Sequence, residues 1–232
     1  TDFVRKVLSS SGVTKPVLLQ PPALDLEATS PQIAPLASTA KKFFSIGAPH
    51  FRKGHHLLIE GFLQAFPETG LAELHIKTAS GCDWSAPRED IHFLHEEWNA
   101  LRVRQAYHEF DIYVTASLGE GLGLPVAEAV LAGLPVAANF WGGHQSLLCP
   151  NGFFEIPHQE LPQFFCSRPE YFAPGQTCAY SSPEAIAQTL KDAAKSHRGE
   201  REEMTRIAQA NLLAKYGKAG VLPKLMDTVN HV

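Results

Sequence analysis

Ser117-Leu-Gly-Glu120-Gly-Leu-Gly123-Leu-Pro125-Val-Ala-Glu128-Ala-Val-Leu-Ala-Gly133-Leu-Pro135 is the stretch that decides the fold. It follows residues 111–116, Asp-Ile-Tyr-Val-Thr-Ala, a run of β-branched and aromatic residues that reads as a strand. The chain leaves that strand through a glycine-rich turn. It then enters a helix running from Pro125 to about Ala132, with proline placed at the first helical position. Gly133 closes the helix, and residues 135–138 read as the next short strand. Strand, glycine turn, helix and strand in this order form a βαβ unit of a parallel sheet.

Working outward, the same alternation continues. Residues 43–47 read as a buried strand. From Gly54 onward Leu58, Phe62 and Phe66 recur at helical period, widened by Ile59 and Leu63. Residues 74–77 and 91–94 read as strands, and a helix follows over about 99–110. Near the start, residues 3–10 read as a helix and 17–19 as a short strand. Residues 20–40, rich in Pro, Ser, Thr and Ala, read as a linker or surface loop. Residues 158–182 carry three prolines and two cysteines and read as a long irregular stretch. Residues 183–229 read as two or three helices with no strand between them.

Bulk properties narrow the class. The chain has 232 residues, enough for one substantial α/β domain or two small ones. With 44% hydrophobic and 19% charged residues, a packed core is expected. The formal net charge of −4 gives no basic footprint for nucleic acid. No apolar run approaches the ~20 residues that span a bilayer. No signal peptide stands at the start, and Thr1 does not read as a natural beginning. Cys82, Cys149, Cys166 and Cys178 are widely spaced, fit no metal or redox pattern, and read as reduced thiols of a cytosolic protein. His55 and His56 are the only adjacent histidines, and no spacing suggests zinc.

In open α/β sheets, ligands bind beyond the carboxyl ends of the strands, so the residues after each strand are the candidates. In the glycine-rich turn, Gly121 and Gly123 let a backbone approach a ligand closely. The N–H groups at the start of the following helix favour a phosphate. Glu120 and Glu128 would accept hydrogen bonds from hydroxyls, which suits a sugar and a ribose. Glu128 also has a plain reading, a carboxylate favoured by the helix dipole. Its helix carries no other charge, however, and a carboxylate buried there needs partners. Arg52 and Lys53 precede a helix N-terminus, where cations are unfavourable unless an anion joins them. A solvated basic turn is the alternative. Gly142 and Gly143 mark either close approach to a ligand or a simple turn. His95, after Phe93-Leu94, either lines a base-binding pocket or serves the structure alone.

Glu120 and Glu128, with seven residues between them, resemble the E-x7-E motif of retaining GT-B glycosyltransferases. The surrounding Glu-Gly-Leu-Gly-Leu-Pro-Val-Ala-Glu-Ala and Ala-Gly-Leu-Pro-Val are similar to glycosyltransferase family 4, the "group 1" enzymes. The resemblance runs over about residues 17–157, and more loosely over the helical tail. It includes residues 18–25 as the segment joining two domains, Lys53-Gly54, and the helix that follows.

The resemblance implies an α/β fold with a Rossmann-like parallel sheet flanked by helices. This would be one half of a GT-B fold, with a helical C-terminal tail. Residues 1–15 would be the last helix of an N-terminal acceptor domain, and 16–232 the nucleotide-sugar-binding domain. Glu128 would bind the ribose, Glu120 the transferred sugar, and Lys53 the phosphates. Backbone groups of Gly121, Leu122, Gly123, Leu124 and Pro125 would face the sugar and diphosphate, supported by Arg52, Gly142, Gly143 and His95. The donor would be a UDP-, GDP- or ADP-sugar, with no cofactor and no metal. Acceptor glycan or lipid would be held by the other domain, and this half alone would not turn over. A cytoplasmic place at the membrane face and self-association through the interdomain surface are further implications. The chain departs from the family pattern at Ala48, where arginine is usual, at His95, where glycine is usual, and at Ser146, where an acid is common. An epimerase or phosphorylase on the same fold, and a degenerate donor domain acting as a scaffold, are the rival readings.

Overall fold

A computed structural model describes residues 1–20, 22, 24, 36–163 and 175–230, the last four by backbone alone. Most of the 20–40 stretch, part of the joining segment 18–25, and Cys166 lie outside the described residues.

Six parallel strands form the main sheet: β1 Lys42–Ile46, β2 Glu73–Lys77, β3 Ile91–Leu94, β4 Ile112–Thr115, β5 Val136–Ala138 and β6 Phe154–Glu155. Their spatial order is β3-β2-β1-β4-β5-β6. The chain therefore lays strands outward from β1 on one side, then returns to the other side of β1 and proceeds the opposite way. The helices that follow β1 and β4 pack on opposite faces of the sheet, the arrangement that places a ligand crevice at its carboxyl end.

Helices cover both faces. The sheet strands alternate side chains, so neighbours such as Phe43 and Phe44 enter opposite cores, both fully buried. On one face Phe43, Leu74, Ile76, Ile112 and Val114 pack against Leu58 and Phe62 of α2 (His55–Ala65) and Ile186 and Leu190 of α6 (Pro183–Lys195). Gly61 lets α2 and α6 touch: a Cβ there would stand 2.5 Å from Ile186 Cγ2. On the other face Phe44, Tyr113 and Val136 pack against Tyr107, beside α3 (Ala100–Ala106), and Val130 of α4 (Leu124–Leu131). Leu212 of α7 (Arg198–Tyr216) completes that core. Each such side chain contributes about 1.5–3 kcal/mol of burial. Among the described residues the remaining helices are α1 (Asp2–Ser10), the short α5 (His144–Leu147), and α8 (Lys218–Asn230), with Pro223 inside it.

Two expectations fail. Residues 17–19 form no strand, and Leu18 is exposed, with no strand among the described residues to pair it. The stretch 158–182 is not irregular at its ends: β7 (Gln159–Pro162) and β8 (Thr177–Tyr180) pair antiparallel in a small separate sheet. Pro162 falls at the end of its strand, where a missing N–H is tolerated. Cys178 and Ala179 are buried, and Ala179 N donates to Leu118 O at 2.9 Å, so the hairpin is tied to the glycine-rich turn. The tail holds three helices, within the expected range.

Candidate functional site

The crevice between β1 and β4 holds the two segments singled out in the sequence. After β1, residues 47–50 lead into a single 3-10 turn, Phe51–Lys53, which Gly54 ends. Gly54 has φ +67, and a Cβ there would come within 2.0 Å of Ala116 O. Only glycine allows this contact between the start of α2 and the end of β4. The two loops are also laced together by main-chain atoms: Leu118 N donates to Arg52 O at 2.8 Å, and the Ser117 hydroxyl donates to the same carbonyl at 3.1 Å.

This bracing brings Lys53 and Glu120 together. Lys53 Nζ lies 2.6 Å from Glu120 Oε1, Ser117 Oγ donates to the same oxygen at 2.9 Å, and Arg52 stands 3.2 Å from Oε2. Arg52 also donates to Gly119 O. The stem of Lys53 runs along Gly47, where a Cβ would press on Lys53 Cδ at 3.2 Å. Burial pushes the Glu120 carboxyl up, but the hydrogen bond and charge of Lys53, then Arg52 and Ser117, outweigh it and hold the group below its usual range. The cations at the start of α2 are thus met by a carboxylate of the protein itself. His55, the next residue, is brought down to about 4 by burial, with Lys53 adding to the effect, and is uncharged at neutral pH.

Glu128 sits one turn inside α4, and its side chain remains exposed to solvent, less buried than its apolar helix suggests. Tyr107 donates to Glu128 Oε2 at 2.9 Å, which supplies the partner its apolar helix demanded. Burial raises the Glu128 carboxyl above its ordinary value, against the opposing effects of Tyr107 and Arg104. The two glutamates therefore differ: one is stabilised as an anion by adjacent cations, the other is held on a single phenol donor. Leu124 precedes Pro125 in α4, so the proline takes the second helical position, still among those whose N–H would be unsatisfied.

The glycines separate into two kinds. Gly121 faces open space: a Cβ added there would find its nearest neighbour, Val4 Cγ2, 3.8 Å away. Gly123 has φ +91, and a Cβ would meet His144 Cδ2 at 2.8 Å. Gly142 (φ +61) and Gly143 approach the glycine-rich turn itself. A Cβ on Gly143 would stand 2.5 Å from Leu122 N, and Gly143 N donates to Glu120 O at 2.7 Å. Their observed close approach is thus to protein backbone. His95 stands at the ends of β2 and β3, with Nδ1 3.2 Å from the Thr78 hydroxyl, on the side of the crevice opposite to α4.

Two supporting residues escaped the sequence reading. Buried His144 lies under Gly123, its Nδ1 3.0 Å from Asn139 O, while Asn139 donates to Ser117 O at 2.8 Å. The sequence Gly142-Gly143-His144 after a strand carried that signal. Tyr107 had no signal beyond its helical spacing. Over the turn lies α1. Thr1 donates to Gly121 O at 2.8 Å, and Phe3 meets Trp141 edge-on with ring centres 5.1 Å apart. A cleft of about 680 Å³ opens here, lined by Phe3, Arg52, Glu120, Gly121, Trp141 and Thr177 among others. No helix among the described residues is long and apolar enough to cross a membrane.

The profile described as "Glycosyl transferases group 1" matches residues 40–164. Among solved structures, a TarM variant from S. aureus, in complex with fondaparinux, α-GlcNAc-glycerol and UDP, superposes with a TM-score of 0.72 at 16% identity. That match covers 99% of this chain and 43% of TarM. A trehalose-6-phosphate structure from E. coli, bound with UDP-2-fluoro glucose, gives 0.63 at 13% identity, over 88% of this chain and 50% of the other. The C-terminal domain of the group 1 family protein LpcC from Francisella tularensis gives 0.58 at 17% identity, over 84% of this chain and 99% of that domain. A comparison with curated protein sequences finds no match. The chain thus spans half or less of the first two proteins and nearly the whole of an isolated C-terminal domain. With the profile matched over more than half its residues, the chain belongs to the glycosyl transferases group 1 family, and its fold is that of a GT-B C-terminal domain.

Proposed function

We propose that this chain is the donor-binding half of a retaining glycosyltransferase that takes its sugar from a nucleotide-diphosphate sugar. The observation that carries the reading is the Lys53–Glu120 pair at the switch point of the sheet, beside the N-terminus of α4. A diphosphate placed there meets Lys53, Arg52 and the first N–H groups of α4. As it takes over the lysine, Glu120 turns to the sugar hydroxyls, and Glu128, positioned by Tyr107, accepts from the ribose. Charge growing on the departing diphosphate is then stabilised by groups already in place. The UDP and UDP-sugar complexes of the structural neighbours support a nucleotide-sugar ligand. Residues 1–15, as the last helix of an acceptor-binding domain, and an acceptor glycan or lipid held by that domain belong to the same proposal. So does a working place at the cytoplasmic membrane face.

The test is thermal melting with UDP, GDP, ADP and their sugar conjugates, for the wild type and Glu128→Ala. Ligand at about 100 times the dissociation constant adds roughly 2.7 kcal/mol of apparent stability. At about 2–4 °C per kcal/mol for a chain of this size, that is roughly 5–11 °C. A rise for one nucleotide, absent in Glu128→Ala, is expected. No rise with any of them, in this chain and in a full-length form carrying both domains, refutes the donor-site reading.

A further inference from the structure

Away from the crevice, β2 and β3 place a second group of polar side chains together. Register pairs His75 with His92 across the parallel strands, and Phe44 of β1 with His75 on the other side. These residues form one row on the same face of the sheet. Glu73 lies two residues before His75, hence on that same face. The imidazole rings of His75 and His92 stack with centres 4.4 Å apart, and His75 Nε2 lies 2.9 Å from Glu73 Oε2. One ligand atom from each of Glu73, His75 and His92 falls within 4.8 Å of the other two.

We propose that Glu73, His75 and His92 form a binding site for a divalent transition metal, with Zn²⁺ as its ion. Two imidazoles and one carboxylate are the donor set that suits Zn²⁺. Metal–ligand distances of about 2.0–2.2 Å require the three atoms to close by an ångström or so, which rotation about side-chain bonds supplies. The Glu73–His75 hydrogen bond already holds two of them at ligating separation, and the ion takes the place between them while the imidazole carries its one hydrogen on Nδ1. Phe110, 4.9 Å from the His75 ring, backs that ring and limits its swing. Lys42, in register with Glu73, is the cation that the pairing of β1 sets beside the carboxylate. It weakens affinity without blocking the site, because it lies at the exposed start of its strand. Three protein ligands leave a fourth position for water. The ion joins β2 to the edge strand β3, a link that sequence spacing could not reveal because register alone creates it.

Calorimetric titration of the chelator-treated chain with Zn²⁺, alongside the visible absorption of Co²⁺, tests the site. One saturable ion per chain is expected, with the Co²⁺ spectrum of a four-coordinate nitrogen and oxygen site. His92→Ala should weaken binding at least about tenfold, the scale of losing even a supporting partner of a ligand. Glu73→Gln should do likewise; both residues are partly exposed, and circular dichroism checks the fold of each variant. Cys149→Ser should change nothing. No saturable event, or undiminished affinity in either ligand variant, overturns the assignment.

Discussion

Gly143→Ala is a one-methyl change with a calculable outcome. The new Cβ would stand 2.5 Å from Leu122 N, 2.6 Å from Gly121 C and 2.6 Å from Leu122 Cα. Ordinary contacts of this kind begin near 3.4 Å, so the two segments must separate by roughly an ångström, as overpacking requires. The atoms met are all backbone, and no side-chain rotation relieves them. The Gly143 N–H to Glu120 carbonyl bond of 2.7 Å would stretch with the same movement. Overpacking of this size costs about 1–3 kcal/mol, or about 2–12 °C of melting temperature at this chain length. A displacement of about 1 Å at a reacting centre costs on the order of 10²-fold in rate. The control is Gly121→Ala in the same turn, where the nearest atom is 3.8 Å away. Melting with and without the nucleotide that stabilises the wild type reads both effects. Gly143→Ala should lose stability and the ligand-induced rise together; Gly121→Ala should keep its stability and lose the rise only if a ligand touches that residue. A Gly143→Ala chain with unchanged melting and an unchanged ligand response refutes the packing argument.

Other outcomes follow from the same geometry. Because the Glu120 carboxyl is held below its unfolded-state value, its pairing stabilises the fold above the usual carboxylate range, and the contribution fades as pH falls through the depressed value. In Lys53→Met the main opposing cation is gone and burial lifts Glu120, so the variant should lose relatively more stability near neutral pH than in acid; parallel melting curves from about pH 3 to 7 would contradict this. Tyr107→Phe removes the donor to Glu128 and should cost about 0.5–1.5 kcal/mol in denaturant unfolding, while weakening nucleotide binding. Gly61→Ala drives a methyl into Ile186, on the face away from Glu128, and should destabilise by about 1–3 kcal/mol yet leave nucleotide affinity unchanged in titration.

The sheet and its helices were legible because their signals are local. Residues 111–135 announce strand, turn and helix within one window, and α2 shows its apolar period without interruption. The Lys53–Glu120 pairing was not legible: resemblance assigned the two residues to phosphates and sugar, not to each other, and 67 residues separate them. Other features depend on tertiary context. The hairpin of β7 and β8 hid behind Pro162 and polar residues, and its burial comes from neighbours it meets only in the fold. Conversely, Val17-Leu18-Leu19 had strand composition but no partner strand among the described residues. His144 and Tyr107 act through other residues, Gly123 and Glu128, so no spacing rule marks them. Gly142 and Gly143 were legible as sites of close approach, but the approaching body is the Glu120 turn.

Arg52, Ser117 and Leu118 are joined through the Arg52 carbonyl, and Gly54 presses on the carbonyl of Ala116. The frame of the crevice is thus main chain bound to main chain, with the Ser117 hydroxyl as a side-chain strut. Charge can then be edited at Lys53 and Glu120 while the loops that present them keep their path; Arg52 is the exception, because its guanidinium also donates to Gly119 O. A variant of this kind reports on chemistry instead of collapse. It also gives natural or laboratory selection a platform on which donor preference can be rewritten one side chain at a time.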